Sequence, residues 1–411
     1  MRLPIRRALF WASVAVFAVL APLVVGYALG YRFDFTRGGV VRTGALLVET
    51  EPGGAAVLID GILAKHTGSI LSTTALVRDL APRAHRVRIE KAGYRSWEKD
   101  LEIQPAIVTE IRNVRLWPIA PVTEALGELA PTDEQVVSGS VQFSPDGTHL
   151  AWATGRTPAE RSWFVRRLVD DAPVPLKLPE GAHTREARVR WSSDSRFIVV
   201  EAGASWWRFD RDRLNTPVLL PSIPAPRTLV GADTALAVDS SGILSSYQFT
   251  PSSTQAISRA PVIPVPTSED ELIAPDGEHI ALRTREGTLR IFDPDERAFV
   301  GVSGGVVEAI FSPDKTRLLW RTNREIWVRI ARTNELITRF SDPIEDAFWE
   351  ARGAHVIFSV GGTLKAIELD RRGGRITTDL LPVASTQLAL DQNKTSVLAV
   401  RGGTLVRIRF P

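Results

Sequence analysis

Between Phe143 and the C-terminus the sequence states one phrase seven times. An apolar residue precedes a four-residue turn rich in Asp and Gly, and a second apolar strand follows. The phrase reads FSPDGTHLAWAT from Phe143, WSSDSRFIVVEA from Trp191, VGADTALAVDS from Val230 and IAPDGEHIALRT from Ile273. It continues as FSPDKTRLLWRT from Phe311, WEARGAHVIFSV from Trp349 and, in weaker form, LDQNKTSVLAV from Leu390. Successive anchors lie 48, 39, 43, 38, 38 and 41 residues apart. A period near forty with four short strands per unit is the mark of a β-propeller blade. The unit at Phe311 shows the pattern most fully: Val307–Phe311 as inner strand, then Arg317–Arg321, Glu325–Ile330 and Glu335–Phe340. Apolar residues are dense in the first two strands, as expected where both faces of a sheet are covered.

The seventh unit supplies only three strands before Pro411, whereas Pro121–Leu129 reads as an outer strand with no unit of its own. The expectation is a seven-bladed ring in which that segment pairs with the last blade. Such closure removes an exposed sheet edge.

Residues 8–30 carry no charged side chain. As a helix they measure roughly 35 Å, enough to cross a hydrocarbon core of about 30 Å. Trp11, Tyr27 and Tyr31 stand near the ends, where interfacial aromatics are expected, and Arg2, Arg6 and Arg7 precede the run. By the positive-inside rule the N-terminus is cytoplasmic and the remainder exported. Ala28 and Gly30 also suit signal-peptide cleavage, although the apolar run exceeds the usual signal core. An uncleaved single-pass anchor is the preferred reading.

Between these regions, residues 44–117 form a small β domain after a linker over 32–43. Ala45–Thr50 and Ala55–Ile59 read as strands, with Asp60-Gly61 as a hairpin turn. His85–Lys91 alternates with Val87 and Ile89 inward, and Trp97–Ile103 and Val108–Leu116 complete about six strands. This gives a division into residues 1–31 (cytoplasmic stub and transmembrane helix), 32–43, 44–117 and 118–411 (propeller). The fold class is mainly β.

Two families share these motifs. Pro52-Gly53-Gly54-Ala55, the following Val57, Ile59, Asp60 and Gly61, the strand at His85, and Lys91, Gly93, Tyr94 and Trp97 together resemble the PEGA domain. Gly53 replaces the Glu of that family's motif, and Gly68–Thr74 departs from its usual loop. The turns at Phe143–Gly147 and Phe311–Asp314 resemble the repeat of TolB-like periplasmic propellers, from which the third, sixth and seventh units depart. The first resemblance implies a bacterial cell-envelope protein, and the second a protein-binding platform.

The chemistry available is limited. There is no cysteine, which removes disulfides, thiolate metal sites and cysteine nucleophiles. Fifty basic residues balance forty-seven acidic ones without a basic cluster, so no nucleic-acid footprint is expected. His149, His279 and His355 share one repeat slot in different units and cannot meet at one ion, while His66, His85 and His183 are isolated. Asp146, Asp194, Asp233, Asp276 and Asp314 share another slot, in tight turns where a carboxylate bonds local amides. Gly301-Val302-Ser303-Gly304-Gly305 matches a nucleophile elbow in letters, but an inner strand follows where a helix is required.

No cofactor, metal or catalytic residue is therefore assigned. Trp152, Trp191, Trp320 and Trp349 are expected in the core on inner strands. Trp163, Trp206, Trp207 and Trp327 lie on third strands, with Trp206 and Trp207 on opposite faces. These four are the candidate partner-binding aromatics, as rim rings that stack on sugars or anchor a protein. The composite reading is a membrane-anchored binding or scaffold protein, its partner an envelope protein or cell-wall glycan. A structural surface-layer component and a carbohydrate-active enzyme using the propeller funnel are the alternatives.

Overall fold

The computed structural model describes residues 3–34, 38–68, 73–130, 134–137, 139–155, 161–168, 172–180, 187–202, 205–263, 265–383, 387–391, 393 and 395–410. Apart from one N-terminal helix the chain is mainly β. It divides into two compact units: residues 1–120 with Asp370–Ile376, and residues 121–369 with 377–411.

The first unit opens with helix α1 (Leu3–Ala28), whose apolar stretch Leu9–Ala28 is not covered by the rest of the chain. A short hairpin, β1 (Tyr31–Asp34) and β2 (Gly39–Arg42), follows. Seven strands come next: β3 (Gly44–Glu51), β4 (Ala56–Ile59), β5 (Ile62–His66), β6 (Thr74–Leu80), β7 (Ala84–Glu90), β8 (Trp97–Glu102) and β9 (Val108–Arg115). They form two sheets, ordered β6-β3-β9 and β5-β4-β7-β8, with β3 and β9 parallel. Alternation places Leu46 and Val48 of β3, Val57 of β4, Val87 and Ile89 of β7 and Ile111 of β9 in one shared core. Ile376 packs against that core as well.

The loop motifs of this unit have local causes. Asp60 and Gly61 both take positive φ, as the two-residue hairpin between β4 and β5 demands. The Asp60 carboxylate accepts from the Arg86 amide (3.0 Å), Arg83 (2.7 Å) and His85 Nδ1 (2.8 Å). His85 is thereby fixed on β7, with its Nε2 2.9 Å from the Ala81 carbonyl. At Gly53 a Cβ would stand 2.3 Å from the Gly68 carbonyl oxygen. Glycine at this place in the Pro52–Ala55 turn is therefore a steric requirement.

The second unit begins with β10 (Val122–Glu128) and, among the described residues, continues as seven antiparallel sheets that succeed one another along the sequence. The fifth is typical, with strands Glu308–Phe311, Arg317–Arg321, Glu325–Ile330 and Thr333–Arg339 in spatial order. The first differs, its innermost position being shared by Gln135–Val136 and Gln142–Phe143. The last sheet takes its fourth strand from β10, which pairs with Thr404–Arg409 in antiparallel register from Val122↔Arg409 to Glu128↔Thr404.

Burial explains why second strands read as unbroken apolar runs. Ile198 and Val200 face the first sheet, in a core with Trp163 and Val165. Their alternating neighbours Phe197 and Val199 face the third sheet, in a core with Leu229 and Ala235. The same sharing links the third sheet to the fourth, the fourth to the fifth and the fifth to the sixth. Between sixth and seventh, the Leu388 amide donates to Asp346 at 2.6 Å. A further core joins Leu398 and Leu405 of the last sheet to Leu150 and Trp152 of the first, with Leu129 between them.

Candidate functional site

The recurring turn accounts for most of the polar residues singled out by the sequence. In the first sheet the Ser144 hydroxyl donates to Asp146 (2.6 Å) and accepts from the His149 amide (2.9 Å). In the second, the Phe197 amide donates to Ser192 at 2.9 Å, and in the fifth the Arg317 amide donates to Ser312 at 3.0 Å. One oxygen of the aspartate accepts the amide two residues on: Thr148 for Asp146, Arg196 for Asp194, Glu278 for Asp276 and Thr316 for Asp314. The other oxygen often bonds outward. Asp146 meets Arg211 of the second sheet at 2.5 Å, and Asp276 meets Lys315 of the fifth at 3.0 Å. Partial burial raises these carboxyls, but the hydrogen bonds outweigh it: Asp276 is held well below the usual range and Asp314 at about 2.

The shared histidine slot serves the same joints. His149 packs on Trp191 of the next sheet, ring centroids 5.9 Å apart, and His279 on Phe311 at 6.1 Å. In the fifth sheet Arg317 occupies the slot, its guanidinium 5.1 Å from the Trp349 ring centre. The indoles reach back as well: Trp191 Nε1 donates to the Gln142 carbonyl and Trp349 Nε1 to the Ile310 carbonyl, each at 3.1 Å. Desolvation lowers the His149 pKa, and Arg211 lowers it further. His183 lies outside the described residues. Ser303 of the elbow-like motif ends the outer strand Ala298–Ser303 of the fourth sheet, and no helix follows. Among the described residues no cluster of three or more metal-ligating side chains occurs.

The structure places three of the four candidate aromatics inside the fold rather than on a rim. Trp163 and Trp207 are buried in the core between first and second sheets, and Trp206 in that between second and third. The opposite-face expectation for Trp206 and Trp207 thus describes their geometry, but not their availability to a partner. The third strand of the second sheet is covered on both faces, so each of its two aromatics fills an inter-sheet gap. Trp327 is half-buried, stacked on Trp320 at 6.1 Å and 5°, and its indole donates to Glu325 at 2.8 Å. Trp152 and Trp320 are core residues as expected, but on second rather than inner strands.

A different group of residues converges. Charged side chains stand at or near the start of the inner strands of five sheets, three residues before the anchor at Arg188, Arg227, Glu308 and Asp346, and two before it at Glu271. Register puts residues at the ends of the second strands beside them: Glu201, one before the last, opposite Arg188, Arg283 opposite Glu271 and Arg321 opposite Glu308. These form ion pairs, Arg283–Glu271 at 2.8 Å, Arg321–Glu308 at 3.0 Å and, between second and third sheets, Arg227–Glu201 at 3.1 Å. Arg188 reaches past the third sheet to the Ser268 carbonyl at 2.7 Å. Asp346 is buried, and burial together with the nearby Glu308 carboxylate pushes its carboxyl up. The recurrence of charge at one offset before the anchor was visible in the sequence, but inner-strand starts do not follow a fixed composition. This polar end of the sheets can bind a charged or strongly polar group, because every pair holds donors and acceptors in fixed positions.

The first unit carries the matched family segment: residues 43–116 match the PEGA domain. No curated protein matches the chain. Solved structures similar to it include a chain of the "Mitotic Checkpoint Complex" (14% identity, TM-score 0.48, covering 71% of this chain and 94% of that one). Another is the "Myceliophteria_thermophila Cps50 (Swd1) beta-propeller domain" (14%, 0.45, 71% and 98%). A third is U3-55K (11%, 0.46, 69% and 100%).

Proposed function

We propose that this chain is a single-pass, membrane-anchored binding scaffold of a bacterial cell envelope, with an extracytoplasmic PEGA domain and a seven-bladed β-propeller of TolB-like repeat. The observation that carries the reading is the pairing of β10 with the last strand, which completes the seventh sheet with chain from before the first repeat. The core that joins last sheet to first supports a closed ring. The inner-strand starts then line one mouth of its central opening, and the ion-paired residues there are the contact surface for an envelope protein or glycan. Binding rather than catalysis is supported by the repeat carboxylates, which are engaged with turn amides and inter-sheet cations. Anchoring is supported by the uncovered apolar surface of α1.

The test uses native membranes. A photocrosslinker replacing Glu271 captures a distinct partner, and charge reversal at Arg283 reduces that capture without lowering the melting temperature. Capture of lipid alone, or equal capture by the reversed variant, refutes the surface. Topology is read from Leu219→Cys, a unique thiol in a cysteine-free chain. Labelling by an impermeant maleimide in intact spheroplasts is expected, and protection refutes export.

A further inference from the structure

The hairpin after α1 has no part in the scaffold just described, yet it is fastened to the helix end. The last carbonyls of a helix lack intrahelical donors. Here Arg32 donates to the Tyr27 carbonyl at 2.7 Å, Arg42 to that of Leu29 at 3.3 Å, and the Thr43 amide to that of Gly30 at 2.8 Å. Both ends of the hairpin are thus held at the helix C-terminus, and the Arg32 guanidinium lies 3.6 Å from the centre of the Tyr27 ring.

Strand alternation gives the hairpin two faces. Arg32 belongs to one, and its other nitrogen pairs with Asp79 of β6 at 2.8 Å. Tyr31, Phe33, Val40 and Arg42 belong to the opposite face, where Phe33↔Val40 and Tyr31↔Arg42 are cross-strand partners. Tyr31, Phe33 and Val40 are 43%, 53% and 66% exposed. An exposed aromatic and aliphatic face with one arginine, fixed directly beyond a span-length apolar helix, has the composition of an interfacial segment.

We propose that β1–β2 is an interfacial collar that lies in the headgroup layer of a phospholipid bilayer, with Tyr31, Phe33 and Val40 at the acyl boundary and Arg42 at the phosphates. The proposal rests on the reading of α1 as a membrane anchor. Geometry makes it specific. The polar layer on each side of a bilayer is roughly 5–8 Å deep. A four-residue strand is about 13 Å long, so an upright hairpin projects beyond that layer and a flat one stays within it.

The full chain carrying Val40→Cys or Phe17→Cys, labelled with an environment-sensitive fluorophore, is reconstituted into phosphatidylcholine–phosphatidylglycerol vesicles. These contain lipids brominated near either the headgroup or the chain end. The expected result is loss of fluorescence at position 40 mainly with the shallow bromines, and at position 17 mainly with the deep ones. An unquenched label at 40 beside a quenched label at 17 overturns the collar and leaves the anchor standing. No quenching at either position overturns both.

Discussion

Val122 and Arg409 are cross-strand partners at one end of the pairing between β10 and the last strand, and both are exposed. The double substitution Val122→Cys with Arg409→Cys converts that pairing into a disulfide in a chain that has no other thiol. The bond closes a loop of nearly 290 residues. Chain entropy for such a loop gives about 5–6 kcal/mol as an upper figure, of which about 2–4 is usually realised because native geometry is never ideal. The substitution also removes the exposed Arg409–Glu124 ion pair, worth about 0.2–1 kcal/mol. The net gain is about 1–4 kcal/mol, or a rise of about 2–7 °C in melting temperature for a unit of this size. The assay is calorimetry of the purified full chain in detergent, oxidised and reduced, with the crosslink scored by gel mobility. Failure to crosslink under mild oxidation, or crosslinking with no difference in melting between oxidised and reduced protein, refutes ring closure through β10.

Four further outcomes follow from the same contacts. Ser312→Ala removes the hydroxyl that Arg317 bonds inside a buried turn, and should destabilise by about 1–3 kcal/mol in denaturant titration. Gly53→Ala drives a Cβ into the Gly68 carbonyl and should destabilise the first unit by about 1–3 kcal/mol, with Gly53→Glu worse despite restoring the family motif. The Asp314 carboxyl titrates at about 2 in the folded chain, below its unfolded value, so its contribution is complete above pH 4 to 5 and is lost as pH falls toward 2. Asp314→Asn should flatten that acid limb of the melting curve. Asp346 is shifted the other way by burial and Glu308, so the folded chain binds its proton more tightly and stability declines as pH rises above the ordinary carboxyl range. Asp346→Asn keeps an acceptor for the Leu388 amide and should gain on the wild type as pH rises from 5 to 9. Parallel curves would refute this assignment.

Much of the fold is legible because its rules are local. The turn at Phe143–Gly147 repeats a serine and an aspartate at fixed offsets, and the hydrogen bonds that need them span five residues or fewer. The strand runs after each turn are apolar on both faces because both are covered, a property that composition displays directly. In the first unit, β5 and β6 carry no pattern that marks them as separate strands. All five residues of β5 are exposed, so no alternation marks it. The place of Asp370–Ile376 in the first unit was illegible for a different reason. The Asp370 carbonyl accepts from Lys99, a partner 271 residues away in sequence, and no pattern within either segment signals that bond.

The site was harder to read than the fold, and the tryptophans show why. Trp206 and Trp207 point to opposite faces of a third strand, and the sequence alone does not say how close to the rim either face is covered. In stacked sheets each face meets a neighbour, so the pair fills two successive cores. Aromatic residues therefore report the tightness of inter-sheet packing here. Charge at the inner-strand starts is the more telling feature. Arg227 is almost fully buried, yet it holds Glu201 of one sheet, the Ile223 carbonyl and the face of Trp206 together. A buried arginine with three partners is costly to desolvate unless all are retained. The second and third sheets are thereby locked in one spacing at this end. In the proposed ring, paired charges held in one spacing at this end would select a partner by charge pattern, which gives specificity without demanding a large apolar surface.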